Sequence, residues 1–175
     1  MSPSEEPVLF PTFHVADSRG TFSKPYSYAT GDVPFTIREL FWSTSAKGTV
    51  RGMHFQLPPA QAAKLVWVSV GEIVDVLVDV RPGVGYGTVS EYRLSAAEGT
   101  ALLVPVGFAH GFQALTDGAL VNYAQEHEFD PGLDAGINWR SMEYTWPLEP
   151  TATSARDDAL PSLAEFDSPF AAPSR

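Results

Sequence analysis

Residues Glu72–Val80 read EIVDVLVDV and carry the alternation that decides the fold. Successive side chains of an extended strand point to opposite sides, so even-numbered and odd-numbered positions form two separate faces. The even-numbered positions after Glu72 are all valine, whereas the other face carries Ile73, Asp75, Leu77 and Asp79. This pattern predicts a β-strand, and the two aspartates on its otherwise apolar face need polar partners.

Strand signals of this kind recur through the chain up to about residue 129. Short runs rich in Val, Thr, Phe, Tyr and Trp alternate with clusters of Gly, Pro, Asp and Ser, which are typical of turns. The predicted strands lie at 21–28, 35–43, 49–55, 63–70, 72–80, 87–94, 101–106, 111–115 and 120–129, with turns at 29–34, 81–87, 96–99 and 116–118. Strands at a spacing of about 8–12 residues predict an all-β sandwich, barrel or jelly roll.

Length and composition restrict the class of protein. The chain has 175 residues, no cysteine and a formal net charge of −10. We expect one domain over residues 1–175, with a core at about 17–163, frayed ends at 1–6 and 167–175, and a short C-terminal helix capped by Ser154. The acidic start lacks a secretory signal, and no apolar run approaches the ~20 residues of a membrane span, so we expect a cytoplasmic protein with no membrane partner. The negative charge argues against nucleic acid as a partner.

The segment Arg51–Val66, RGMHFQLPPAQAAKLV, places polar side chains among strand-forming residues. Arg51, His54, Gln56 and Lys64 either face water or line a site, because burying an uncompensated polar group costs about 1–3 kcal/mol. Small antiparallel barrels hold ligands among inward-facing residues that alternate along each strand. A pocket is therefore a natural location for these side chains.

Two spacings resemble the sequence motifs of the cupin superfamily, whose members are double-sheet jelly rolls. The first, GTVRGMH, runs from Gly48 to His54, and the second, GTALLVPVGFAH, ends at His110. The resemblance implies an all-β, cupin-type double-stranded β-helix. Metal-binding cupins place a histidine where this chain has Gln56, and two histidines are fewer than the three protein ligands usual at a catalytic metal, so no metal is expected.

Five segments that occur in order resemble the dTDP-4-dehydrorhamnose 3,5-epimerase family. They are DSRGTF (17–22), the long run from VRGMHFQ to VLVDVR (50–81), VPVGFAHGFQAL (104–115), WP (146–147) and TSARD (153–157). The resemblance covers roughly residues 17–163 and implies a homodimeric cupin that needs no cofactor. Its implied substrate is a nucleoside-diphosphate 4-keto-6-deoxy sugar, with dTDP as the default nucleotide. Its implied reaction is inversion of carbon 3, carbon 5 or both, which flank the ketone.

The family pattern assigns roles to individual residues. His54 matches the base that takes the proton beside the ketone, and Asp157 matches the carboxylate that orients this histidine and favours its protonated form. Lys64 matches the cation near the developing enolate, and Arg51 matches a contact to substrate and phosphate. Gln56, in the same motif as His54, is expected to contact the substrate.

A second histidine, His110, matches another active-site residue of the family. Asp79 is its expected partner, and Asp75 is an equal alternative. Strict alternation places Arg51 and His54 on opposite faces of one strand. We therefore predict a β-bulge near Gly52, because a glycine inside a strand often marks one.

Inversion also needs a proton returned to the opposite face of the sugar. The family uses a tyrosine just before an x-Pro step, and this chain has Phe129 in EHEFDPG, whose ring cannot donate a proton. We still expect Phe129 to line the substrate site. Three outcomes stay open: water or another residue such as Tyr123 delivers the proton, only one carbon is inverted, or the protein no longer epimerises.

The nucleotide end of the site also departs from the family pattern. Arg19 and Phe22 match an element that is expected to reach into the neighbouring subunit's site and hold the pyrophosphate and base. Lys24 stands where a glutamate is usual, and Glu39 and Phe41 replace Gln and Asn. Changes of charge at a hydrogen-bonding site alter specificity because they leave partners unpaired.

Three other functions fit parts of the sequence. A 3,4-ketoisomerase acting on a dTDP-4-keto-6-deoxyhexose would share the fold, but the complete set of basic motif residues favours the epimerase. A metal-dependent cupin oxygenase is disfavoured by Gln56. A non-catalytic cupin that binds sugar nucleotides is supported by Phe129 and opposed by Asp157, because binding alone does not need a tuned base.

Overall fold

The computed structural model describes residues 5–27 and 36–173, and antiparallel strands dominate it. The strands within these ranges are β1 (Val8–Pro11), β2 (Phe13–Asp17), β3 (Gly20–Lys24), β4 (Glu39–Ser45), β5 (Val50–Gln56), β6 (Lys64–Val70), β7 (Glu72–Asp79), β8 (Val89–Ser95), β9 (Thr100–Val104), β10 (Phe108–Ala114), β11 (Ala119–Gln125) and β12 (Asp134–Gly136). One sheet has the order β1, β9, β6, β11, β4, and a second has the order β12, β5, β10, β7, β8. Strands β2 and β3 form a separate hairpin. Two five-stranded antiparallel sheets confirm the predicted all-β jelly roll.

The main core lies between the two sheets. Val66, Leu102 and Val121 of the first sheet belong to the same buried cluster as Ile73 and Leu77 of β7. Full burial of such a side chain contributes about 1.5–3 kcal/mol relative to exposure. The valines of β7 point the other way and belong to a second buried cluster, so the predicted division of this strand into two faces is confirmed.

The C-terminal part of the chain covers the outer face of the second sheet. Ile137 and Trp139 are in one buried cluster with the valines of β7. Phe170 is buried as well, with its ring centre 5.6 Å from that of Phe55. The prediction that residues 167–175 are frayed is therefore wrong at Phe170, because this ring packs into the cluster.

The predicted C-terminal helix is present as α1 (Ala155–Asp158). The hydroxyl of Ser154 caps it by accepting a hydrogen bond from the backbone N–H of Asp157 at 3.0 Å. A 3-10 turn follows at Leu163–Glu165. In the two ranges that the structure describes, no helix is long and apolar enough to cross a membrane.

The start of the chain is held to the end of β7, although residues 1–6 are predicted to be frayed. The guanidinium of Arg81 donates to the carbonyl oxygen of Glu5 at 2.6 Å and to the carboxylate of Glu6 at 3.0 Å. It also donates to both carboxylate oxygens of Asp79, at 2.9 and 2.6 Å. This largely buried guanidinium therefore fixes residues 5 and 6, whereas residues 1–4 lie outside the described part of the chain.

Three short strands, β1, β2 and β12, are not among the predicted ones. Backbone pairing with β9 and β5 defines β1 and β12, and such pairing leaves little trace in a run of three or four residues. The strand predicted at 35–43 is observed as β4, and the one predicted at 111–115 begins earlier, so that His110 lies within β10. The predicted turn at 29–34 lies outside the described residues.

The bulge predicted near Gly52 is confirmed by the pairing of β5 with β10. His54 pairs with His110 and Arg51 pairs with Phe112, so two residues of β5 lie opposite the single Gly111. Gly52 has a φ of +132°, a conformation that a side chain rarely allows. A Cβ at this position would lie 2.5 Å from the Cα of Gly111 on the neighbouring strand, so position 52 of the bulge needs glycine.

We predict that Gly52→Ala lowers the free energy of unfolding by about 2–3 kcal/mol or more, because backbone strain alone costs about 1–3 kcal/mol. Gly83→Ala is a matched control, since Gly83 has a φ of +135° but nothing within 4 Å of the added Cβ. Urea unfolding of both variants measures the difference. Equal destabilisation of the two would show that the close approach to Gly111 carries no cost.

Candidate active site

A cavity of about 750 Å³ opens between the two sheets. Its lining comes from both sheets and from the segment that carries α1. The lining residues are Glu39, Phe41, Ser43, Thr49, Val50, Arg51, His54, Gln56, Lys64, His110, Phe112, Tyr123, Gln125, Phe129, Asp134, Ala152, Thr153, Ser154, Arg156 and Asp157. The cavity thus gathers most of the polar residues that the sequence singles out, from strands far apart along the chain.

His54 and Asp157 form a hydrogen-bonded pair at the cavity wall. The Nε2 atom of His54 lies 2.8 Å from a carboxylate oxygen of Asp157. The carboxylate is almost completely buried, whereas the imidazole keeps 27% of its side-chain surface exposed. An ionised carboxylate has no proton to donate and can only accept hydrogen bonds. The proton between the two groups is therefore on Nε2, and Nδ1 keeps the lone pair that a general base needs.

The bulge in β5 supplies a second donor to Asp157. The backbone N–H of Gly52 donates to the other carboxylate oxygen at 3.2 Å. Burial raises the pKa of Asp157, but the hydrogen bonds from His54 and Gly52 outweigh it and hold this pKa below its ordinary value. Asp157 is therefore ionised at neutral pH and stabilises a protonated His54.

His110 lies directly opposite His54 on the neighbouring strand and has its own carboxylate partner. That partner is Asp75, with 2.9 Å between Nε2 and the carboxylate oxygen, and not Asp79. Register explains the error: His110 pairs with Leu77, which places both aspartates at diagonal positions two residues away. Asp79 is occupied by Arg81, which leaves Asp75 for His110.

Lys64 brings a cation to the cavity from β6. Among the described residues its ammonium group forms no hydrogen bond or ion pair, and Asp134 and Asp75 act on it only through their charges. Loss of hydration on burial lowers the pKa of Lys64 to about 8, although both aspartates oppose the shift. The group is therefore mostly charged at neutral pH and available to an anion in the cavity.

We predict that any reaction that uses the charge of Lys64 has an alkaline limb near pH 8 in its kcat/KM profile, which reports the ligand-free protein. A lowered lysine pKa means that the cation is lost as pH rises through about 8, well before an ordinary lysine would titrate. In Lys64→Arg the cation persists, so this limb should disappear even if the maximal rate falls. Lys47→Arg, at an exposed position, should keep the limb. A limb unchanged in Lys64→Arg would assign it to another group.

Tyr123 of β11 brings a phenol into the cavity. It is 7% exposed, and its ring contacts His110 edge-on at 6.0 Å between centroids. Burial raises the pKa of Tyr123, so its proton stays on the oxygen at neutral pH. Phe129 lines the same cavity and is 52% exposed. A hydroxyl proton donor is thus present although Phe129 provides none.

The remaining predicted contacts in the cavity differ in how their polar groups are used. Gln56 is buried, and its side-chain amide bonds to backbone groups, donating to Ala60 and Glu128 and accepting from Asp130. One carboxylate oxygen of Glu39 accepts from the Gln125 side chain at 2.6 Å and from the backbone N–H of Phe129 at 2.9 Å. Both side chains therefore shape the wall by holding the loop after β11.

Arg51 uses only part of its hydrogen-bonding capacity in contacts within the chain. Its guanidinium donates to the hydroxyl of Ser45 at 2.9 Å and to the carbonyl oxygen of Thr44 at 3.2 Å. A guanidinium has five N–H groups, so three remain for a ligand in the cavity.

Three of the predicted substrate contacts, Arg19, Phe22 and Lys24, do not reach this cavity. All three lie on the β2–β3 hairpin, where Arg19 forms an ion pair with Asp17 at 2.6 Å. Phe22 is 57% exposed. Within one chain, the hairpin and the cavity are therefore separate.

An ion pair between Arg156 and Asp134, 2.6 Å apart, is missing from the predicted site. Both residues line the cavity, and the pair joins α1 to β12 just before Asp157. The only sequence signal was the position of Arg156 inside the TSARD motif, which gives no hint of a partner 22 residues away. Asp79 is the opposite case, a predicted residue that does not line the cavity.

The donor set of the cavity does not suit a resident metal ion. Among residues 5–27 and 36–173 there is no group of three or more His, Asp or Glu side chains placed to hold one. The two histidines each bond to a different aspartate, and Gln56 is turned toward backbone groups.

Comparisons with known proteins point to one family. The family model for dTDP-4-dehydrorhamnose 3,5-epimerase matches residues 5–165. An alignment with the dTDP-4-dehydrorhamnose 3,5-epimerase of Sinorhizobium fredii is 39% identical over 127 residues and covers 70% of this chain. It spans 65% of that relative's own length, slightly less than two thirds.

Two solved structures share the fold over nearly the whole chain. One is the dTDP-6-deoxy-D-glucose-3,5-epimerase of Legionella pneumophila in complex with dTDP-4-keto-L-rhamnose, with a TM-score of 0.86, 27% identity and coverage of 94% of this chain and 93% of the other. Another is ChmJ, a 3'-monoepimerase from Streptomyces bikiniensis in complex with dTDP-quinovose, with a TM-score of 0.84 and 26% identity. That match covers 94% of this chain and 88% of ChmJ.

Proposed function

Since the chain belongs to the dTDP-4-dehydrorhamnose 3,5-epimerase family, we propose that its cavity epimerises a nucleoside-diphosphate 4-keto-6-deoxy sugar without a cofactor. The observation that carries the proposal is the His54–Asp157 pair at 2.8 Å, placed in the same cavity as Lys64 and Tyr123. These groups supply a base, a cation for the enolate and a proton donor. The dTDP ligands of the two solved relatives make dTDP the first nucleotide to test.

The cavity also suits the anionic end of such a substrate. Arg51, Lys64 and Arg156 line the cavity together with the carboxylates of Glu39, Asp134 and Asp157. Arg156 is paired with Asp134, whereas Arg51 and Lys64 form no ion pair among the described residues and remain for a phosphate. Arginine binds phosphate oxygens through paired N–H groups, and Arg51 has N–H groups to spare. A volume of about 750 Å³ lies within the range of about 300–1,000 Å³ usual for small-molecule sites.

The reaction starts with removal of a proton beside the ketone. Nδ1 of His54 takes the proton, the C–H electron pair moves into an enolate, and Asp157 stabilises the imidazolium that forms. Lys64 stabilises the charge on the enolate oxygen. The hydroxyl of Tyr123 then gives its proton to the opposite face of the carbon, and solvent or the imidazolium restores the phenol. The configuration of that carbon is inverted.

Deuterium exchange tests this function. The protein is incubated with dTDP-4-keto-6-deoxyglucose in deuterated water while NMR follows carbons 3 and 5. We expect loss of the C–H signal at one or both carbons. Loss at carbon 3 alone would indicate an enzyme that inverts only this carbon, and the relative ChmJ is described as such a 3'-monoepimerase. Tight binding without any exchange would contradict the proposal and favour a binding protein.

We propose further that two copies complete each other's sites. Phe13, Val15 and Phe22 on the β2–β3 hairpin are 47–58% exposed, and Leu40 and Trp42 are exposed on the edge strand β4. Apolar edge strands need cover, and a second copy provides it. In such a homodimer the hairpin would carry Arg19, Phe22 and Lys24 to the partner's cavity to hold the diphosphate and base.

Mixing two inactive variants tests the shared site. Arg19→Ala lacks the contact from the hairpin, and His54→Ala lacks the base in the cavity. In a mixed dimer one site combines an intact cavity with an intact hairpin, so we expect activity to return after the two proteins are unfolded and refolded together. No recovery, despite mixed dimers seen by mass spectrometry, would contradict the exchange of hairpins.

A further inference from the structure

We infer that Phe41 is a positioning residue that holds the phenol of Tyr123 in the orientation needed to return a proton to the substrate. The inference rests on the proposed function, because it gives Tyr123 the role of donor. Phe41 contacts the proposed donor through its ring. Its role is therefore to restrict the motion of the donor.

The two rings form a parallel stack. Their centroids are 4.7 Å apart and the angle between their planes is 13°. The residues are directly opposite each other on β4 and β11, so the backbone ladder sets their spacing. Aromatic pairs of this geometry contribute about 0.5–1.5 kcal/mol beyond the area that they bury.

A second contact fixes the tyrosine from another direction. The ring of His110 meets Tyr123 at 79°, edge to face, and His110 is itself held by Asp75. Tyr123 is therefore enclosed by one ring parallel to its own and one perpendicular to it. Rotation of its side chain must disrupt at least one of these contacts, so the two rings restrict where the phenol oxygen can lie.

Alternation along β4 shows that the stack belongs to the cavity. Phe41 lines the cavity, while its neighbours Leu40 and Trp42 do not and are 61% and 71% exposed. Phe41 itself keeps 39% of its surface exposed, so a part of the ring remains open to a ligand or to solvent. Phe41 therefore belongs to the cavity wall and not to the buried core.

Misplacing the donor has a distinct chemical signature. His54 can still remove a proton, exchange it with deuterated water and return it to the same face, which labels the substrate without inverting it. Only delivery by Tyr123 to the opposite face gives inversion. The ratio of deuterium uptake to inversion therefore reports on the donor, whereas a general loss of folded enzyme lowers both rates together.

The test measures this ratio by NMR in Phe41→Ala, Phe41→Tyr and Tyr123→Phe. We expect Phe41→Ala to raise the ratio about tenfold or more, since small misplacements of reacting groups cost up to about 10²-fold in rate. Phe41→Tyr keeps the stacked ring and should restore the wild-type ratio. Phe166→Ala is the control, because it removes an aromatic contact with Phe55 outside the cavity and should leave the ratio unchanged.

The outcomes separate this inference from the proposed function. An unchanged ratio in Phe41→Ala, together with a raised ratio in Tyr123→Phe, overturns the role of Phe41 and leaves the donor intact. Normal inversion by Tyr123→Phe overturns the donor and the inference with it. A raised ratio in both, with rescue by Phe41→Tyr, supports the positioning role.

Discussion

Replacing His54 with alanine should reduce deuterium uptake by the substrate by at least about 10²–10⁴-fold, the usual contribution of a positioned general base. Of the two imidazoles in the cavity, His54 is the one that is partly exposed, and its Nε2 atom is bonded to the ionised carboxylate of Asp157. His110 is almost fully buried and bonded to Asp75, so we do not expect it to replace the lost base. Uptake is measured by NMR at carbons 3 and 5.

The control for this variant is His127→Ala. His127 is exposed, does not line the cavity and bonds to the backbone of Glu128. The His127→Ala variant should catalyse deuterium uptake by the substrate at the wild-type rate, and His54→Ala should still bind dTDP. Rapid exchange by folded His54→Ala would transfer the role of base to another residue.

Replacing Tyr123 with phenylalanine should separate exchange from inversion. The variant keeps the ring that packs between Phe41 and His110 and removes only the hydroxyl, so the fold and the base remain. We expect deuterium uptake at close to the wild-type rate and inversion reduced by about 10²-fold or more. NMR of the sugar ring measures both in one sample. Equal loss of the two rates would assign Tyr123 to an earlier step than proton return.

The fold was predictable because its main strands carry local signals. The two faces of Glu72–Val80 pack in two different clusters, as the alternation indicates. The glycine inside this strand and the conflict between Arg51 and His54 likewise predict the bulge that the pairing of β5 and β10 contains. Strands β1 and β12 are defined by backbone pairing with other strands and carry no alternation of their own, so the sequence does not predict them.

The candidate site was predictable to the extent that its residues lie in recognisable motifs. His54, Lys64 and Asp157 are separated by up to 103 residues in the chain, yet all three line one cavity. The choice between Asp75 and Asp79 was not predictable, because both are diagonal to His110 and only the capture of Asp79 by Arg81 decides it. The Arg156–Asp134 pair was missed for a similar reason, since a contact between a four-residue helix and a three-residue strand leaves no periodic signal in the sequence.

The measurement that most directly tests the central claim is the rate of deuterium uptake catalysed by Asp157→Asn. The central claim is that a buried carboxylate makes His54 a base, by holding its proton on Nε2 and stabilising the imidazolium. Asparagine fills the same space without the charge, and in other histidine–aspartate pairs such a change lowers kcat by about 10⁴-fold while the geometry is kept. We predict a loss on the order of 10²-fold or more in a variant that unfolds at the wild-type urea concentration. Uptake at the wild-type rate by this variant would contradict the account.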